Sequence, residues 1–410
     1  MNRVLIIGYV WPEPNSSAAG SRMMQLIDFF LSQNCQVTFA SAAAVSSHMA
    51  DIEARGVRKV SIELNSSSFD EFLLSVDPDI VLFDRFMIEE QFGRRVAQHA
   101  PQALRLLDTE DLHSLRDARH KALKASREVE LEDLNSELAI REVAAILRSD
   151  LTLMISGYEM KLLIEHYGVD ERLLLHLPFM LEQISAEPFK SYAERTGYIA
   201  IGNFRHQPNW DAVLYLRQTL WPLIREQQPE AQLRIYGAYP PPKATQLHDP
   251  KQGFHVEGWA EDAYEVMSQA RVCLAPLRFG AGIKGKLIDA MCCGTPNVTT
   301  SIGAESMHGN LPWGGVVTDD AKTFADQAVG LYQNEEQWLD AQQAGVEVIN
   351  TFYNRSTLEK RLLTAINDLE ANLDRHRINN FMGAMLMHHS MQSTKYMAQW
   401  IEAKNRTAAH

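Results

Sequence analysis

The sequence predicts two α/β domains, each an open, mainly parallel sheet covered by helices on both faces, set against each other across a crevice. Three observations point there. Short apolar runs alternate with amphipathic segments from residue 1 to about 178. A stretch without periodicity, His176–Arg195, separates these from a second run of the same alternation. Finally, 410 residues exceed what one ordinary core organises, so two domains of roughly 150–200 residues are expected.

In the first half, Val4–Ile7 reads as a strand and Gly20–Leu31 as a helix with apolar residues at helical spacing. Val37–Ala40, Ile80–Phe83, Leu104–Leu107 and Leu151–Ser156 read as further strands. The charged, amphipathic span Leu112–Leu147 is expected to form two helices, and Glu159–His166 another. Such alternation gives a parallel sheet buried on both faces. The opening Met1–Gly8 is too short an apolar run for a signal peptide and fits a first strand.

In the second half, Thr196–Ile201 is expected as a strand, Gly202–Asn209 as a loop and Ala212–Arg225 as a helix. Leu233–Tyr236, Phe254–Glu257, Arg271–Ala275, Asn297–Thr299 and Val316–Val317 follow as strands, with a helix at Ala321–Gln333. The domains are therefore drawn at residues 1–185 and 186–365, and the helical remainder, 366–410, is expected to return to the first domain. Methionines near the end (Met382, Met385, Met387, Met391 and Met397) read as a packing stripe for that docking.

The formal net charge of -13 argues against nonspecific nucleic-acid binding, which needs a basic surface. No run approaches 18 uninterrupted apolar residues, so no membrane span is expected, while attachment to a membrane surface stays open. Cys35, Cys273, Cys292 and Cys293 lack metal-ligand spacing and read as small buried residues of a reducing compartment, which places the chain in the cytoplasm.

The most telling stretch runs from Ala275 to Met291 (APLRFGAGIKGKLIDAM). An apolar run hands over to a loop with Gly280, Gly282 and Gly285, and with Lys284 and Lys286, which opens an amphipathic helix ending at Gly294-Thr295-Pro296. Glycines admit close approach of a ligand to the backbone, and free amides at a helix start favour anionic oxygens. The chemistry implied is a bound phosphate or diphosphate, with Asp289 one turn beyond Lys286 on the same face. Three other loops end strands on the same side of the sheets. Gly8–Arg22 lacks a G-x-G-x-x-G pattern, but its small residues and Gly20 allow a substrate close. In Asp108–His113, Asp111 either caps the next helix or joins His113 in binding a sugar hydroxyl or adjusting its proton. In Gly202–Asn209, Arg205 is placed like a diphosphate clamp. G-x-S-x-G, C-x-x-C, H-E-x-x-H and Walker patterns are missing, which removes support for hydrolase, redox and P-loop chemistry.

With these residues in view, the chain resembles the retaining, nucleotide-sugar-dependent glycosyltransferases of family 4, over nearly its whole length. The likeness is strongest at Ile201–Tyr215, Tyr236–Gly237 and Arg271–Glu305. It implies the GT-B fold, two Rossmann-like domains facing a central crevice. It implies that Asp289 binds the ribose of the donor and that Arg205 and Lys286, with Lys284, bind the diphosphate. Gly202, Asn203, Gly282 and Ile283 would line the nucleotide, and His113 would stand near the reacting sugar. The family pattern has glutamates eight positions apart; here the second is Asp289 and the first is Ala281, which cannot hold a sugar hydroxyl. The expected reaction moves a sugar from a nucleotide diphosphate to an acceptor hydroxyl of a glycan, lipid, protein or small molecule. Cationic side chains take the place of a metal, and no further cofactor is expected. A nucleotide-sugar 2-epimerase and a non-catalytic nucleotide-binding module of the same fold are the alternatives.

Overall fold

A computed structural model describes residues 2–187 and 189–408, without the side chains of 389–392 and 405–408. The first sheet has seven strands: β1 (Arg3–Gly8), β2 (Gln36–Ser41), β3 (Arg58–Ser61), β4 (Ile80–Asp84), β5 (Leu104–Asp108), β6 (Leu151–Met154) and β7 (Leu174–His176). Their spatial order is β3-β2-β1-β4-β5-β6-β7. The second sheet has six: β8 (Tyr198–Ile201), β9 (Leu233–Tyr236), β10 (Phe254–Gly258), β11 (Val272–Ala275), β12 (Asn297–Thr299) and β13 (Gly315–Val317), in the order β10-β9-β8-β11-β12-β13. All neighbours run parallel.

Side chains of a strand alternate between faces, and here both faces are apolar. Val4 and Ile6 of β1, with Ile80 and Leu82 of β4, enter one core cluster. Leu5, Ile7, Val81 and Phe83, between them, enter the other. This is why the strands read as unbroken apolar runs. Each sheet also reverses its order once, between β1 and β4 and between β8 and β11. At such a switch point successive helices go to opposite faces, and the loops leaving the two strands open a crevice beyond their carboxyl ends.

The chain crosses back beside the linker, where Leu181 N–H donates to Tyr353 O at 2.7 Å and Arg355 N–H to Leu181 O at 2.8 Å. The helix Arg355–Asn379 then adds Leu358, Leu362 and Ile366 to the first-domain core. Arg377 ties it down with two bonds to Asp150, at 2.8 and 2.7 Å. The last helix, Phe381–Ala408, lies against Glu137–Arg148 at Gly383, where a Cβ would stand 2.2 Å from Leu147 O. The C-terminal helices thus return to the first domain, from Arg355 onward.

Several elements differ from the sequence reading. Met382, Met385 and Met397 are exposed, so the methionine stripe is not the docking face. Gly383 makes the close approach, Ala398 is buried, and Met387 accepts a hydrogen bond from Arg105 at 3.6 Å. Met391 lies outside the described side chains. The span 112–147 holds three helical pieces, His113–Lys124, Leu131–Leu134 and Glu137–Arg148. The single helix expected at Ala212–Arg225 starts earlier, at Gln207, and passes through a wider π turn at Leu216–Leu220 before Trp221–Gln227. Pro222 has no N–H to continue the regular ladder, which accounts for the widening there. Of the cysteines, Cys273 and Cys293 are buried and Cys35 and Cys292 partly so; all four are free. No helix among the described residues is long and apolar enough to cross a membrane.

Candidate functional site

The loops after β8 and β11 flank the switch point of the second sheet, and five of the eleven predicted residues, Gly202, Asn203, Arg205, Lys286 and Asp289, stand around it. Lys286, in the first turn of the helix Gly285–Cys292, donates to Asn209 Oδ1 at 2.6 Å. Gly202 lies beneath it, and a Cβ on Gly202 would stand 2.7 Å from Lys286 Nζ. Arg205 is exposed and lays its guanidinium on the Tyr239 ring at 3.6 Å. Its amide is held by Asn203 Oδ1 at 2.9 Å, while Asn203 Nδ2 reaches across to Ser16 Oγ at 3.1 Å. Asp289 is partly buried and bonded to Tyr264.

Burial pushes the Lys286 ammonium down to about 8 and the Asp289 carboxyl up to about 7. Desolvation disfavours the charged form of each group. An anion beside Lys286, or hydroxyl donors at Asp289, would restore what burial removes.

Lys284 faces another way. It is buried, donates to Gly282 O at 2.6 Å, and burial lowers its pKa even though Glu305, Glu159 and Asp111 act on its charge. Gly282 has φ +64°, and a Cβ there would stand 2.9 Å from Asp111 Cβ. The left-handed turn and the closeness of the first domain both require glycine. Ile283 packs with Phe179 and Ile155. Gly20 lies over Glu13, whose carbonyl a Cβ would meet at 2.3 Å, so the close approach it permits is made by the chain's own backbone.

At the first-domain switch point the residue types are different. Asp84 and Asp108 are opposite each other at the ends of β4 and β5. Asp108 is fully buried and forked by Arg22, with Nε and Nη2 at 3.0 and 2.9 Å from Oδ1. Asp84 Oδ2 accepts from Tyr9 N–H at 2.9 Å and lies 3.6 Å from Arg85 Nη1. Burial would raise the Asp111 carboxyl, but Arg116, which binds it, and His113 hold it below the usual range. Asp111 therefore does not cap the helix that follows. Glu142 does, accepting from His113 N–H at 2.9 Å and Ser114 N–H at 3.0 Å. The His113 ring lies 3.4 Å from Asp111 Oδ1, and burial pushes its pKa down to about 4, so it is neutral at pH 7.

The two domains touch across the crevice. Glu159, fully buried, accepts from Leu112 N–H of its own domain at 2.9 Å and from Gly282 N–H of the other at 2.8 Å. Arg119 forks Glu305 at 2.9 and 2.7 Å and donates to Gly280 O at 2.8 Å. Tyr239 OH donates to Glu13, and Trp259 Nε1 to Asn15 O, each at 2.9 Å. Asp84, Arg85, Glu159 and Arg119 were not among the residues picked out from sequence. For Asp84 a signal exists, since a carboxylate ends the apolar run Ile80–Phe83 just as Asp108 ends Leu104–Leu107. For Glu159 and Arg119 there is none, because the contacts each makes with the opposite domain are formed by residues far along the chain.

Residues 195–334 match the family model of group 1 glycosyl transferases. No curated protein matches the chain by sequence. Solved structures resemble it over most of its length. A TarM variant from S. aureus, solved with fondaparinux, alpha-GlcNAc-glycerol and UDP, superposes with TM-score 0.69 at 8% identity over 90% of this chain and 100% of that one. Sucrose-phosphate synthase from Thermosynechococcus elongatus gives 0.67 at 14% identity, again over 90% and 100%. HepE from Anabaena, solved with UDP-glucose, gives 0.66 at 10% identity with the same coverage. The architecture is GT-B: two Rossmann-like domains with parallel sheets and C-terminal helices.

Proposed function

We propose that the protein transfers a sugar from a nucleotide diphosphate donor to an acceptor hydroxyl, with retention at the anomeric carbon. The observation that supports this reading is the bonding of Lys286 to Asn209, and of Asn209 to Asn203 in the loop that carries Arg205, with Asp289 one turn beyond, all in the segment matched by the glycosyltransferase model. As the bond from sugar to phosphate breaks, negative charge grows on the leaving diphosphate. Lys286 and Arg205, with the amides opening the helix at Gly285, stabilise that charge without a metal. The charge on Lys286 makes it the stronger contact once the anion raises its lowered pKa. Asp289 accepts from the ribose hydroxyls. The acceptor oxygen attacks from the face the diphosphate leaves, and a diphosphate oxygen takes its proton, so no second carboxylate is needed. His113, neutral and at the first-domain wall, offers a hydrogen bond to the reacting sugar.

Ala281 favours one rival, a binding module that keeps the fold, because it is buried among first-domain core residues and offers no polar atom to a sugar. Incubating the protein with UDP- and GDP-sugars, with and without acceptors, decides between the two. Nucleoside diphosphate release or a glycosylated product supports transfer. Tight nucleotide binding with neither would leave a module.

A further inference from the structure

The first-domain switch point holds charges that the transfer reading leaves unused. Tyr9, Asp84, Arg85 and Glu110 stand at the ends of β1, β4 and β5, where an open parallel sheet places its ligand. Asp84 is 4% exposed; the Tyr9 and Val10 amides are directed at its carboxylate, yet its Oδ1 makes no well-formed hydrogen bond among the described residues. Glu110 Oε1 is likewise buried and unpartnered. Buried acceptors without donors are rare, and each calls for an explanation. The guanidinium of Arg85 lies 5.1 Å over the Tyr9 ring, and Tyr9 is 47% exposed.

We propose that these four residues bind a neutral sugar ring of the acceptor, a proposal that rests on the transfer reading above. The missing partners of Asp84 and Glu110 are donors, and hydroxyl groups supply donors. A fully ionised phosphate supplies only acceptors, and each arginine of this wall is already matched by a carboxylate. Arg22 is taken by Asp108 and Arg116 by Asp111. That leaves Arg85 facing Asp84, Glu110, Asp111 and Asp108 together. Arg85 is therefore the guanidinium left to donate to a ring or hydroxyl oxygen, and its own charge is already matched by these carboxylates. The open face of Tyr9 suits the C–H face of a sugar. Burial, with Asp108 close by, raises the Glu110 carboxyl, which a hydroxyl donor would counteract.

Saturation-transfer NMR on the full chain, with UDP present, tests this using methyl glucoside, methyl galactoside, methyl N-acetylglucosaminide and glycerol 3-phosphate as probes. At least one neutral glycoside should give a signal that falls fivefold or more in Asp84→Asn and in Tyr9→Ala. The Tyr9 variant removes an exposed ring and keeps the test valid if the Asp84 variant melts early. Binding of UDP should stay within twofold in both. Preference for glycerol 3-phosphate, no signal from any glycoside, or glycoside signals unchanged in both variants would each overturn the proposal. Failure of UDP to bind the unmodified protein would instead remove the donor reading, while the glycoside signals still decide this wall.

Discussion

The two switch points share one topology and differ in charge. Each lies between the first and fourth strands of a parallel sheet, and each is framed by the loops leaving those strands. In the second domain those loops and the helix that follows present Arg205 and Lys286 together with Asp289. In the first, the ends of β4 and β5 and the loop leaving β5 present Asp84, Asp108, Glu110 and Asp111, with Arg22 already forked onto Asp108 and Arg116 bonded to Asp111. The fold supplies the position in both cases, and side-chain chemistry alone decides what can be bound. On the transfer proposed above, the leaving group that gains negative charge would lie on the cationic side and the hydroxyl nucleophile on the carboxyl-lined one.

The sharpest way to break this contrast is Lys286→Ala. Nucleoside diphosphate affinity should fall about tenfold to a hundredfold, since a charge-assisted contact contributes roughly 1.5–3 kcal/mol. Arg205→Ala should act in the same direction, and calorimetry showing both unchanged would remove the cationic site. Next is Gly282→Ala, where φ +64° and the nearness of Asp111 leave no room for a Cβ. A left-handed non-glycine residue costs about 1–2 kcal/mol, and the clash should part the two walls. Small-angle scattering would detect the larger radius, and an unchanged profile with an unchanged melting temperature would speak against the contact.

Asp289→Asn should weaken ribonucleotide binding about fivefold, the size of one hydrogen bond near 1 kcal/mol, and leave pyrophosphate almost untouched. Equal losses for both ligands would move Asp289 away from the ribose. For His113→Ala we expect a rate reduced by about 0.5–1.5 kcal/mol of barrier with donor affinity kept. Because the imidazole is neutral above about 4, that loss should not vary between pH 6 and 8. Unaltered turnover with a lowered melting temperature would assign the histidine to packing. The gentlest effect is on pH dependence. Lys286 loses its proton above about 8 and Asp289 gains one below about 7, so donor affinity should be greatest between those values and decline on both sides. A flat calorimetric profile from pH 6 to 9 would contradict it.

The strands at each switch point are apolar runs that the sequence displays openly, and the lysine loop is legible too, since its glycines and cations interrupt such a run. What stayed hidden depends on partners far along the chain. β3 (Arg58–Ser61) is a charged edge strand without an apolar pattern, and charges on edge strands serve to block further pairing. The helix Phe86–His99 begins with apolar residues directly after Asp84-Arg85, which disguises the polar end of β4 as part of a longer apolar stretch. Lys284 and Lys286 look equivalent in sequence, two residues apart. The left-handed turn at Gly282 and the first-domain Glu159 that holds its amide send Lys284 inward and leave Lys286 at the edge.

The return of the chain at Arg355 also bears on how the protein is made. The second domain is one unbroken segment, complete once its last residues are available. The first domain, although synthesised earlier, lacks Leu358, Leu362 and Ile366 in its core and Arg377 beside Asp150 until nearly the whole chain has been translated. The amino-terminal half should therefore be the last to reach its final stability, with exposed apolar surface while it waits. Proteolysis of a released fragment ending at residue 354 would find the second domain resistant and the first still open to cleavage. That delay is where a chaperone would be needed most.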